Sequence, residues 1–435
     1  MRPLLTAYWM PKSTWLCAQL QMQFQEGLPF LPLDVESPEH RNCLMIAEAR
    51  PEYLCTSDEN LPALPAECRA VREDSDHHHC KWRLLWSGVV SGVERVDGLA
   101  YILYTSGSTG MPKGVQITRE NADAFINWAA HALPLRKDDV VASIAPFHFD
   151  LSVYDLHLSS KVGARVFLPT AAATRNPRLM AAELSEAQVT SMYCTPTFLQ
   201  LLVAHGRVER HDWSALRQIL FAGEPYPIPA LRRAMAVWPD AAFHNLYGPT
   251  ETNVIAHYAV RRDAMPEGKV PIGLGASGAQ LMLSEDGELW ASGPSVSPGY
   301  MVSKGSSKWV LRGGQCWYKT GDRVSVEAGQ FVFHGRMDRL VKRRGYRIEP
   351  AEIERVYGDD DRIEEAVCIP DDGGFALVYR LRRDSDEALS FVQLMEIGRK
   401  GLPEYMLPDR FGCWRGAWPM TSNGKLDEAH IQRMI

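Results

Sequence analysis

The chain has 435 residues, 46% of them hydrophobic and 23% charged, and carries a formal net charge of -6 at pH 7. This length allows two or three compact domains, and the composition is that of a globular protein rather than a disordered one. The negative charge argues against nucleic acid as a partner, because binding phosphates requires a basic face. No window approaches the ~18 apolar residues of a membrane helix, and Pro11 and Lys12 interrupt the apolar core that a signal peptide would need. We therefore expect a soluble, cytoplasmic protein with no membrane partner.

The chain contains nine cysteines and no CxxC pair. An odd number of scattered thiols is typical of a reduced cytoplasmic enzyme rather than of a disulfide framework. One cluster, His77-His78-His79-Cys80, has side chains that can bind a metal. Consecutive residues converge poorly on one ion, so a solvated loop is the preferred interpretation over a zinc site.

Between residues 98 and 250 the pattern alternates between strands and helices. The segment GLAYILY, 98–104, is a continuous apolar run, which is typical of a strand buried on both faces. Further short strands are predicted at 164–169, 189–194, 216–223 and 241–248. Helices are predicted at 177–187, 196–206 and 229–238, the first with Leu179, Met180, Leu184 and Ala187 on one face.

This alternation predicts right-handed crossovers and a largely parallel sheet covered by helices. In such sheets, ligands bind beyond the carboxyl ends of the strands. The segment YTSGSTGMPKG follows the first strand, FAGEP follows a later one and YGPTE follows a third. The three loops can therefore share one rim of the sheet.

The second half of the chain has a different pattern. From about 260 to 335, short strands separated by glycine-rich turns predict a β-rich subdomain. After Asp338, a helix near PAEIERVYG, two strands and another helix predict a small α+β domain of about 100 residues with its own core. The predicted fold class is therefore α/β. A large N-terminal core of helix-covered, mainly parallel sheets plus the β-rich subdomain occupies 1–337, and a small mobile α+β domain occupies 338–435.

The glycine-rich segment YTSGSTGMPKG, 104–114, is suited to binding an anion, because glycines let backbone N–H groups approach it closely. It is not a P-loop, which requires lysine directly after glycine, whereas Lys113 here follows Pro112. Considered alone, the segment is equally well interpreted as a solvated turn. A second motif, GLGASG at 273–278, fits the dinucleotide fingerprint but leads into a strand-like run, so no dinucleotide site is predicted there.

Six motifs occur in a fixed order along the chain: YTSGSTGMPKGV, FAGEPYP, NLYGPTETN, YKTGDRV, GRMDRLVKRRGYRIEP and TSNGKLD. The series resembles the adenylate-forming superfamily and, within it, the amino-acid adenylation domains of nonribosomal peptide synthesis. The resemblance runs from about Gly27 to Asp427. It implies an enzyme that uses ATP and Mg²⁺ to join a carboxylate to the α-phosphate. Because that step brings two anions together, positive charge and oriented donors must offset their repulsion.

The resemblance also implies roles for the motif residues. Tyr247 is expected to stack on adenine, and Asn245 to hydrogen-bond its edge. Asp322 is expected to accept the ribose hydroxyls with help from Arg336, and Glu251 to hold Mg²⁺, a cation that prefers oxygen ligands. The remaining ATP-binding residues that it implies are Thr105, Ser106, Gly107, Ser108 and Thr109 for the β- and γ-phosphates, Lys113 as their mobile partner, Thr250 for the α-phosphate, and Gly223, Glu224 and Gly248.

Lys425 in TSNGK is the implied catalytic residue, because in this family the corresponding lysine bridges the substrate carboxylate and the α-phosphate. A lone NGK would more often be an exposed turn. Asp338 matches the hinge about which the small domain rotates after adenylation, and the segment near Gly345 then helps to form a channel for a pantetheine thiol. The basic residues between 339 and 347 can meet an acidic carrier protein, although a solvated face is the preferred interpretation.

The substrate class is indicated by FHFDLSVYDL, in which Asp150 matches the carboxylate that binds the α-amino group of amino-acid substrates. A buried carboxylate needs a cationic partner, which an ammonium group supplies. A helix cap is the alternative role for Asp150. The rest of the inferred pocket is apolar apart from two phenols and consists of Leu151, Tyr154, Tyr193, Leu220, Ala222, Leu246, Val254 and Ile255.

This pocket leaves room for a small aliphatic side chain, and the series resembles stand-alone L-proline adenylating enzymes. Alanine or another small amino acid is the alternative, because one or two methylenes change binding by only ~1–3 kcal/mol. No carrier domain follows Asp427, so the expected partner is a separate peptidyl carrier protein with a phosphopantetheine arm, or coenzyme A instead.

One departure from the family pattern is the start of the chain, where an early family motif is absent and the N-terminal core is expected to be shortened. Three hypotheses therefore stay open. They are an ATP-dependent amino-acid ligase acting on a carrier protein, an acyl- or aryl-CoA ligase, which Asp150 disfavours, and a non-catalytic protein with a degenerate adenylation fold.

Overall fold

The computed structural model describes residues 3–57, 61–75, 79–87, 95–107, 110–302, 307–343, 345–371, 374–382, 387–420 and 426–434.

The first part of the chain forms a mixed sheet with helices packed on it. Its strands are β1 (Thr6–Trp9), β2 (Phe30–Pro32), β3 (Tyr53–Thr56), β4 (Cys68–Ser75), β5 (Cys80–Trp86), β6 (Leu99–Thr105) and β7 (Lys113–Thr118), and its helices are α1 (Thr14–Glu26), α2 (Glu39–Ala49) and α3 (Arg119–Ala132). Strands β1, β2, β3 and β6 run parallel, whereas β7 pairs antiparallel with β6.

The next part of the chain forms a second sheet. Its strands are β8 (Val140–Ala142), β9 (Arg165–Phe167), β10 (Ser191–Cys194), β11 (Gln218–Phe221), β12 (Ala242–Tyr247), β13 (Ala256–Val260) and β14 (Leu274–Gly275). Its helices are α4 (Ser159–Val162), α5 (Ala171–Thr174), α6 (Pro177–Glu186), α7 (Pro196–His205) and α8 (Ile228–Val237). Strands β8 to β12 are parallel, in the order β9-β8-β10-β11-β12, which confirms the predicted α/β class.

Two details of the prediction were wrong. Strand β6 does not join the sheet of the later strands, because the short 106–112 connection turns the chain back as a hairpin with β7 instead of crossing over through a helix. In α6, the buried face consists of Met180, Ala181, Leu184 and Ser185, whereas Leu179 is 44% exposed and Ala187 is the C-cap. The helix starts at Pro177 as predicted, and its buried positions 180, 181, 184 and 185 follow a helical repeat that leaves Leu179 on the edge of the exposed face.

The β-rich region contains β15 (Gln280–Leu283), β16 (Glu288–Ser292), β17 (Gly299–Tyr300), β18 (Trp309–Arg312), β19 (Gln315–Glu327) and β20 (Gln330–Arg336). Strands β15, β16, β18, β19 and β20 form an antiparallel sheet, while β17 extends the first sheet beside β7. The GLGASG segment leads into strand β15 and not into a helix.

The C-terminal part contains β21 (Val341–Arg343), β22 (Tyr346–Ile348), β23 (Ile363–Asp371), β24 (Gly374–Leu381) and β25 (Arg410–Trp414), with α9 (Pro350–Gly358), α10 (Phe391–Gly401) and α11 (Glu428–Met434). Strands β21 and β22 form a hairpin, here called the C-terminal hairpin, and β23 to β25 form a separate sheet. A hydrophobic cluster centred on Ile353, Tyr357, Leu377 and Leu394 packs within this part. The exact boundary at residue 338 stays a prediction.

The main hydrophobic core lies between the first two sheets. Phe125 of α3 packs there with Tyr101 from the first sheet and with Tyr193 and Leu246 from the second. Because both sheets bury their residues in one cluster, the carboxyl ends of β6, β11 and β12 are fixed relative to one another.

Among the described residues, no helix is long and apolar enough to cross a membrane. The nine cysteines are all free thiols. His77 and His78 lie outside the described residues, whereas the ring of His79 stacks on Trp15 with centroids 4.0 Å apart. Within the described ranges, no group of three metal-binding side chains comes together.

A second hydrophobic cluster packs on the other face of the second sheet and includes Leu231 of α8 and Phe243 of β12. Helix α8 offers a test of this core. Leu231 is fully buried there, whereas Arg232 on the same helix is exposed. We expect Leu231→Ala to lower the free energy of unfolding by about 2–5 kcal/mol, because it removes buried methyl groups and leaves a cavity. Arg232→Ala should change it by less than about 0.5 kcal/mol. Urea unfolding followed by circular dichroism measures both, and equal midpoints for the two variants would contradict the assignment of this core.

Candidate active site

A cleft lies where the three predicted loops meet the C-terminal hairpin. Its cavity is lined by Thr105 at the end of β6, Gly223 after β11, Thr250 after β12, Asp322 of β19 and Gly345 of the hairpin. The loops come from two sheets and not from one, yet they converge because the sheets share a core. The cleft is therefore at the carboxyl ends of parallel strands, where α/β folds bind ligands.

A second cavity adjoins the first. It is lined by Gly223, Glu224, Asn245 and Tyr247, all predicted nucleotide-binding residues, together with Leu246 and Phe333. Gly223 and Lys342 line both cavities, so the two are neighbours. The Asn245 side-chain amide donates to the Pro271 carbonyl oxygen at 2.7 Å, which fixes the orientation of that side chain.

Asp322 is held in a buried network at the edge of the cleft. The Tyr247 hydroxyl donates to Asp322 Oδ2, and Arg336 Nη1 donates to Asp322 Oδ1 at 2.7 Å. Arg336 Nε also donates to Asp338 Oδ1 at 2.8 Å. Burial, together with the Asp322 carboxylate, raises the pKa of Tyr247 well above its usual range, so the phenol stays a hydrogen-bond donor. The predicted hinge residue Asp338 is thus tied to the same arginine as the predicted ribose-binding residue.

Glu251 follows Thr250, which lines the cleft, and its carboxylate is fully buried. The Tyr300 hydroxyl donates to its Oε1 at 2.5 Å, and Arg347 Nη1 forms an ion pair with its Oε2 at 2.8 Å. Burial alone would raise the pKa of Glu251, but the cations of Arg347 and Lys308 and the Tyr300 hydroxyl hold it at about 2. The carboxylate is therefore ionised and occupied by a guanidinium group from the C-terminal hairpin.

Asp150 lines the first cavity beside this loop. Burial raises its pKa to about 6, although a hydrogen bond with the Thr250 side chain and the nearby Lys342 ammonium group oppose the shift. Burial lowers the pKa of Lys342, whose Nζ lies 5.7 Å from the centroid of the Tyr247 ring. Asp150 is thus a carboxylate that lies near a cation and beside both polar and apolar side chains of the cavity.

The predicted substrate-pocket residues separate into two groups. Leu151, Tyr193, Ala222 and Val254 line the same cavity as Asp150. The others lie deeper or elsewhere: Tyr154 and Leu220 are buried behind this wall, Leu246 lines the second cavity, and Ile255 packs in a separate cluster with Tyr247. The Tyr154 hydroxyl accepts from Gln218 Nε2 at 2.8 Å and bonds Ser191 Oγ at 3.0 Å, so its polar end is satisfied within the core.

The sequence analysis did not assign several residues that line this cavity, among them Phe149, Asn253, Lys342 and Tyr346. Phe149 and Asn253 stand inside motifs that were quoted, beside Asp150 and two residues after Glu251, so a signal was available for them. Lys342 and Tyr346 also stand inside a quoted motif, GRMDRLVKRRGYRIEP, but they were not placed in the cleft, because the sequence does not specify which face of the C-terminal part turns toward it.

The glycine-rich loop is described at Thr105, Ser106 and Gly107 and again from Gly110. Ser106 Oγ donates to the Arg347 carbonyl oxygen at 2.6 Å and accepts from the Glu349 amide at 2.9 Å. Lys113 Nζ lies 5.5 Å from the centroid of the Tyr300 ring. Ser108, Thr109 and Lys425 lie outside the described residues, so their predicted roles stay predictions.

The C-terminal part closes over the cleft through further contacts. The Gly345 amide donates to Glu224 Oε1 at 2.6 Å, and Arg355 Nε donates to the Gly110 carbonyl oxygen at 2.8 Å. Arg41 of α2 and Glu352 of α9 form a buried ion pair at 2.8 Å. Together these contacts hold the C-terminal hairpin inside the cleft.

Two adjoining cavities, lined by buried carboxylates, hydroxyls and cations at the carboxyl ends of strands, define a ligand-binding α/β enzyme fold. The chain belongs to the AMP-binding enzyme family, whose model matches residues 7–301.

Two curated relatives match almost the whole chain. The L-proline--[L-prolyl-carrier protein] ligase of Pseudomonas fluorescens Pf-5 is 34% identical over 98% of this chain and 88% of its own length. The D-alanine--D-alanyl carrier protein ligase of Staphylococcus aureus is 29% identical over 94% of this chain and 85% of its own length. Among solved structures, the Vibrio cholerae adenylation domain AlmE, in complex with glycyl-adenosine-5'-phosphate, superposes with a TM-score of 0.79 at 19% identity. That superposition covers 99% of this chain and 89% of AlmE, and it shows a shared fold.

Gly345 allows a test of the closed arrangement. Its φ is +82°, and a Cβ there would lie 2.5 Å from Thr195 Cγ2. We expect Gly345→Ala to expel the hairpin and to raise amide hydrogen exchange across 341–348 by at least about tenfold, which corresponds to ~1.4 kcal/mol.

Two further variants separate this clash from a general backbone effect. Gly416→Ala has a similar φ of +79° with open space around it, so it should leave exchange across 341–348 unchanged. Adding Thr195→Ser to Gly345→Ala removes the clashing methyl group but keeps the hydroxyl that caps α7, and it should restore protection. Unchanged protection in the single Gly345→Ala variant would contradict the closed arrangement.

Proposed function

We propose that this chain is an amino acid–[peptidyl carrier protein] ligase that uses ATP. It activates a small amino acid, L-proline first among the candidates, as aminoacyl-AMP with release of pyrophosphate. It then transfers the aminoacyl group to the phosphopantetheine thiol of a separate carrier protein. The observation that carries the proposal is Asp150, a carboxylate that lines the first cavity together with the apolar side chains of Leu151, Ala222 and Val254.

Asp150 supports an amino acid as the substrate. The nearby Lys342 ammonium group stabilises the charged form of Asp150, and an amino-acid ammonium group bound in the same cavity would do so as well. Leu151, Ala222 and Val254 beside it offer apolar surface to an aliphatic ring. The proline ligase among the relatives supports L-proline, and the free cysteines support a reducing compartment such as the cytoplasm.

The nucleotide roles rest on the second cavity and the network beside it. The Tyr247 ring and the Asn245 amide are suited to binding adenine, and Asp322 is suited to accepting hydrogen bonds from ribose hydroxyls while Arg336 holds it. Membership of the AMP-binding enzyme family supports ATP as the nucleotide. The hydroxyl of Ser106 and the neighbouring glycine backbone are suited to binding phosphate oxygens.

Glu251 fits a Mg²⁺ ion. It is an ionised, buried carboxylate, and in this structure a cationic guanidinium group already lies against it. Mg²⁺ is commonly bound through one or two carboxylates together with substrate phosphates. When bound, it would offset the negative charge of the phosphates.

The protein's part in the first step is to position the reactants and to balance charge. Asp150 fixes the ammonium group, so a carboxylate oxygen of the amino acid faces the α-phosphorus. The oxygen–phosphorus bond forms as the bond to the β-phosphate breaks, and Lys425 would stabilise the charge on both groups. In the second step, the thiol sulfur attacks the acyl carbon, AMP leaves with the bonding electron pair, and the thiol proton passes to solvent.

A second candidate substrate is alanine or another small aliphatic amino acid. The D-alanine ligase among the relatives favours it, since that protein covers nearly the whole chain at 29% identity. The same Asp150 would bind its ammonium group, and only the fit of the wall would differ. The difference in binding between such side chains is about 1–3 kcal/mol.

The direct test is ATP–pyrophosphate exchange with each common amino acid, comparing the wild type with Lys425→Ala. We expect L-proline to support the fastest exchange, and Lys425→Ala to lower it about 100-fold or more, because a charge-stabilising group is lost from the transition state. Arg232→Ala on the exposed face of α8 serves as the matched control.

Each other result has a definite meaning. Faster exchange with alanine would replace L-proline by the second candidate. Exchange only with acids that lack an amine would favour an acyl-CoA ligase, and no exchange with any acid would favour a non-catalytic protein. Exchange that is unchanged in Lys425→Ala would remove the catalytic role of that lysine.

The raised pKa of Asp150 predicts a pH dependence. Above about 6 the carboxylate is ionised and binds the ammonium group, whereas below it the neutral acid loses that attraction. We expect kcat/KM for the amino acid to fall by roughly tenfold for each pH unit below about 6. Asp150→Asn should lower kcat/KM by at least about 100-fold and should abolish the fall in kcat/KM below pH 6. An unchanged pH profile in Asp150→Asn would contradict the role of Asp150.

A further inference from the structure

Lys12 joins the first sheet to the segment 143–152, here called the Asp150 loop. It lies between β1 and α1, and its Nζ donates to the carbonyl oxygens of Ser143 and Ala145 at 2.6 and 2.7 Å. Both of these residues are buried and follow β8 of the second sheet. Lys12 Nζ also lies 4.8 Å from the centroid of the Phe147 ring. One ammonium group therefore holds the start of the Asp150 loop from a different sheet.

The rest of the Asp150 loop is tied to itself by short-range hydrogen bonds. Ser152 Oγ donates to the carbonyl oxygens of Phe147 and Phe149, at 3.2 and 2.6 Å. The Phe149 amide donates to the Pro146 carbonyl oxygen at 3.1 Å. Because these bonds make the loop one unit, a displacement at its start moves the carboxylate of Asp150 as well.

A buried carboxylate stabilises the charge of Lys12. Asp155 is fully buried in the π-helical turn Tyr154–Leu158, which follows the Asp150 loop. Burial lowers the pKa of Lys12 below its usual range, and the Asp155 carboxylate opposes that shift. Burial likewise raises the pKa of Asp155, and the Lys12 ammonium group opposes the rise. Each group thus favours the charged form of the other. Gln21 Nε2 of α1 donates to the Leu156 carbonyl oxygen at 2.9 Å, which holds α1 against the same turn.

The π-helical turn lies close behind the wall of the amino-acid cavity. Tyr193 lines that cavity beside Asp150, and the ring of Tyr154 packs edge-on against it with centroids 5.8 Å apart. Burial, together with the charges of Asp150 and Asp155, raises the pKa of Tyr193 well above its usual range. The surroundings of Lys12 therefore reach the amino-acid cavity by two routes, the Asp150 loop and the Tyr193 wall.

We propose that Lys12 is a positioning residue for the amino-acid substrate, which holds the Asp150 loop so that the Asp150 carboxylate meets the substrate ammonium group, and that Asp155 acts through Lys12 by keeping it charged. This role deepens the function proposed above and rests on it. Lys12 and Asp155 are not among the residues that line the two cavities, so they act through the loop and not on the reactants. A lysine suits the role, because its ammonium group has three N–H donors and can bond two carbonyl oxygens at once.

The first test uses amide hydrogen exchange and needs no ligand. Lys12→Met keeps an unbranched side chain but removes the N–H donors of the two buried carbonyl oxygens. We expect exchange across the Asp150 loop to rise by at least about tenfold, while exchange across β10, which pairs with β8, stays within about twofold of wild type. An equal rise in the two segments would overturn the proposal, because Lys12 would then stabilise the fold in general.

Leu231→Ala is the matched control for stability. It removes buried contacts in the other cluster of the second sheet and leaves Lys12 and the Asp150 loop in place. It should raise exchange alike in the loop and in β10.

Asp155→Asn is a milder variant that answers the question even if Lys12→Met fails to fold. It keeps the side-chain volume and removes the charge, which weakens the charge-assisted bonds of Lys12. We expect a selective rise in exchange across the Asp150 loop of about threefold. Unchanged exchange in Asp155→Asn would overturn the part assigned to Asp155.

An activity test separates the amino-acid half of the site from the nucleotide half. In ATP–pyrophosphate exchange, Lys12→Met should raise KM for the preferred amino acid by at least about tenfold and leave KM for ATP within about threefold of wild type. Adding Asp155→Asn to Lys12→Met should cause no further loss, because Asp155 acts only through Lys12. Equal rises in the two KM values, or additive effects of the two substitutions, would overturn the proposal. A selective rise in hydrogen exchange without activity on any amino acid would contradict the function proposed above, while the hold of Lys12 on the loop would be confirmed.

Discussion

The pairing of buried carboxylates with cations determines how this structure closes. Asp150, Glu251 and Asp322 all line or adjoin one cleft, and each faces a cation from the segment 336–347. Leaving Glu251 buried and unpaired would cost several kcal/mol, so the C-terminal hairpin is held where Arg347 can reach it. Asp150 and Glu251 lie in loops of the second sheet and meet cations of the hairpin, whereas Asp322 and Arg336 both belong to the β-rich sheet.

The two N-terminal sheets make this pairing possible by placing three loops at one point. Strand β6 belongs to one sheet and β11 and β12 to the other, yet α3 and the shared core fix their ends together. Short connections after each strand leave backbone groups and hydroxyls exposed toward the cleft. Gly248 illustrates how tight the arrangement is, because a Cβ there would lie 1.5 Å from the Asn253 carbonyl oxygen. The geometry of the site therefore depends on how closely the residues beneath it are packed.

Much of the fold could be predicted from the sequence, because apolar runs and helix starts are local signals. The strands near 191, 218 and 242 and the helices after Asn176, Thr195 and Pro227 follow from such signals. The sheet to which β6 belongs could not be predicted, since that depends on a hairpin and not on periodicity. Asp150, Thr250 and Asp322, which line the cleft, were named from their motifs. Lys342 and Tyr346 also stand in a quoted motif but were not placed in the cleft, because their part in it depends on how the C-terminal part is oriented.

The chemistry of the cleft also determines how selective the proposed enzyme would be. An acid without an amine would occupy the cavity without pairing with Asp150, and a site built to hydrogen-bond a substrate group rejects an analogue that lacks it by about 10⁴–10⁵-fold. A wrong aliphatic side chain would change only the fit against Leu151, Ala222 and Val254, which is worth about 1–3 kcal/mol. Selection for the amine should therefore be strict, whereas selection between a ring and a methyl group should be weaker. The volume that these apolar side chains enclose, and not the charge of the cavity, decides between L-proline and its smaller competitors.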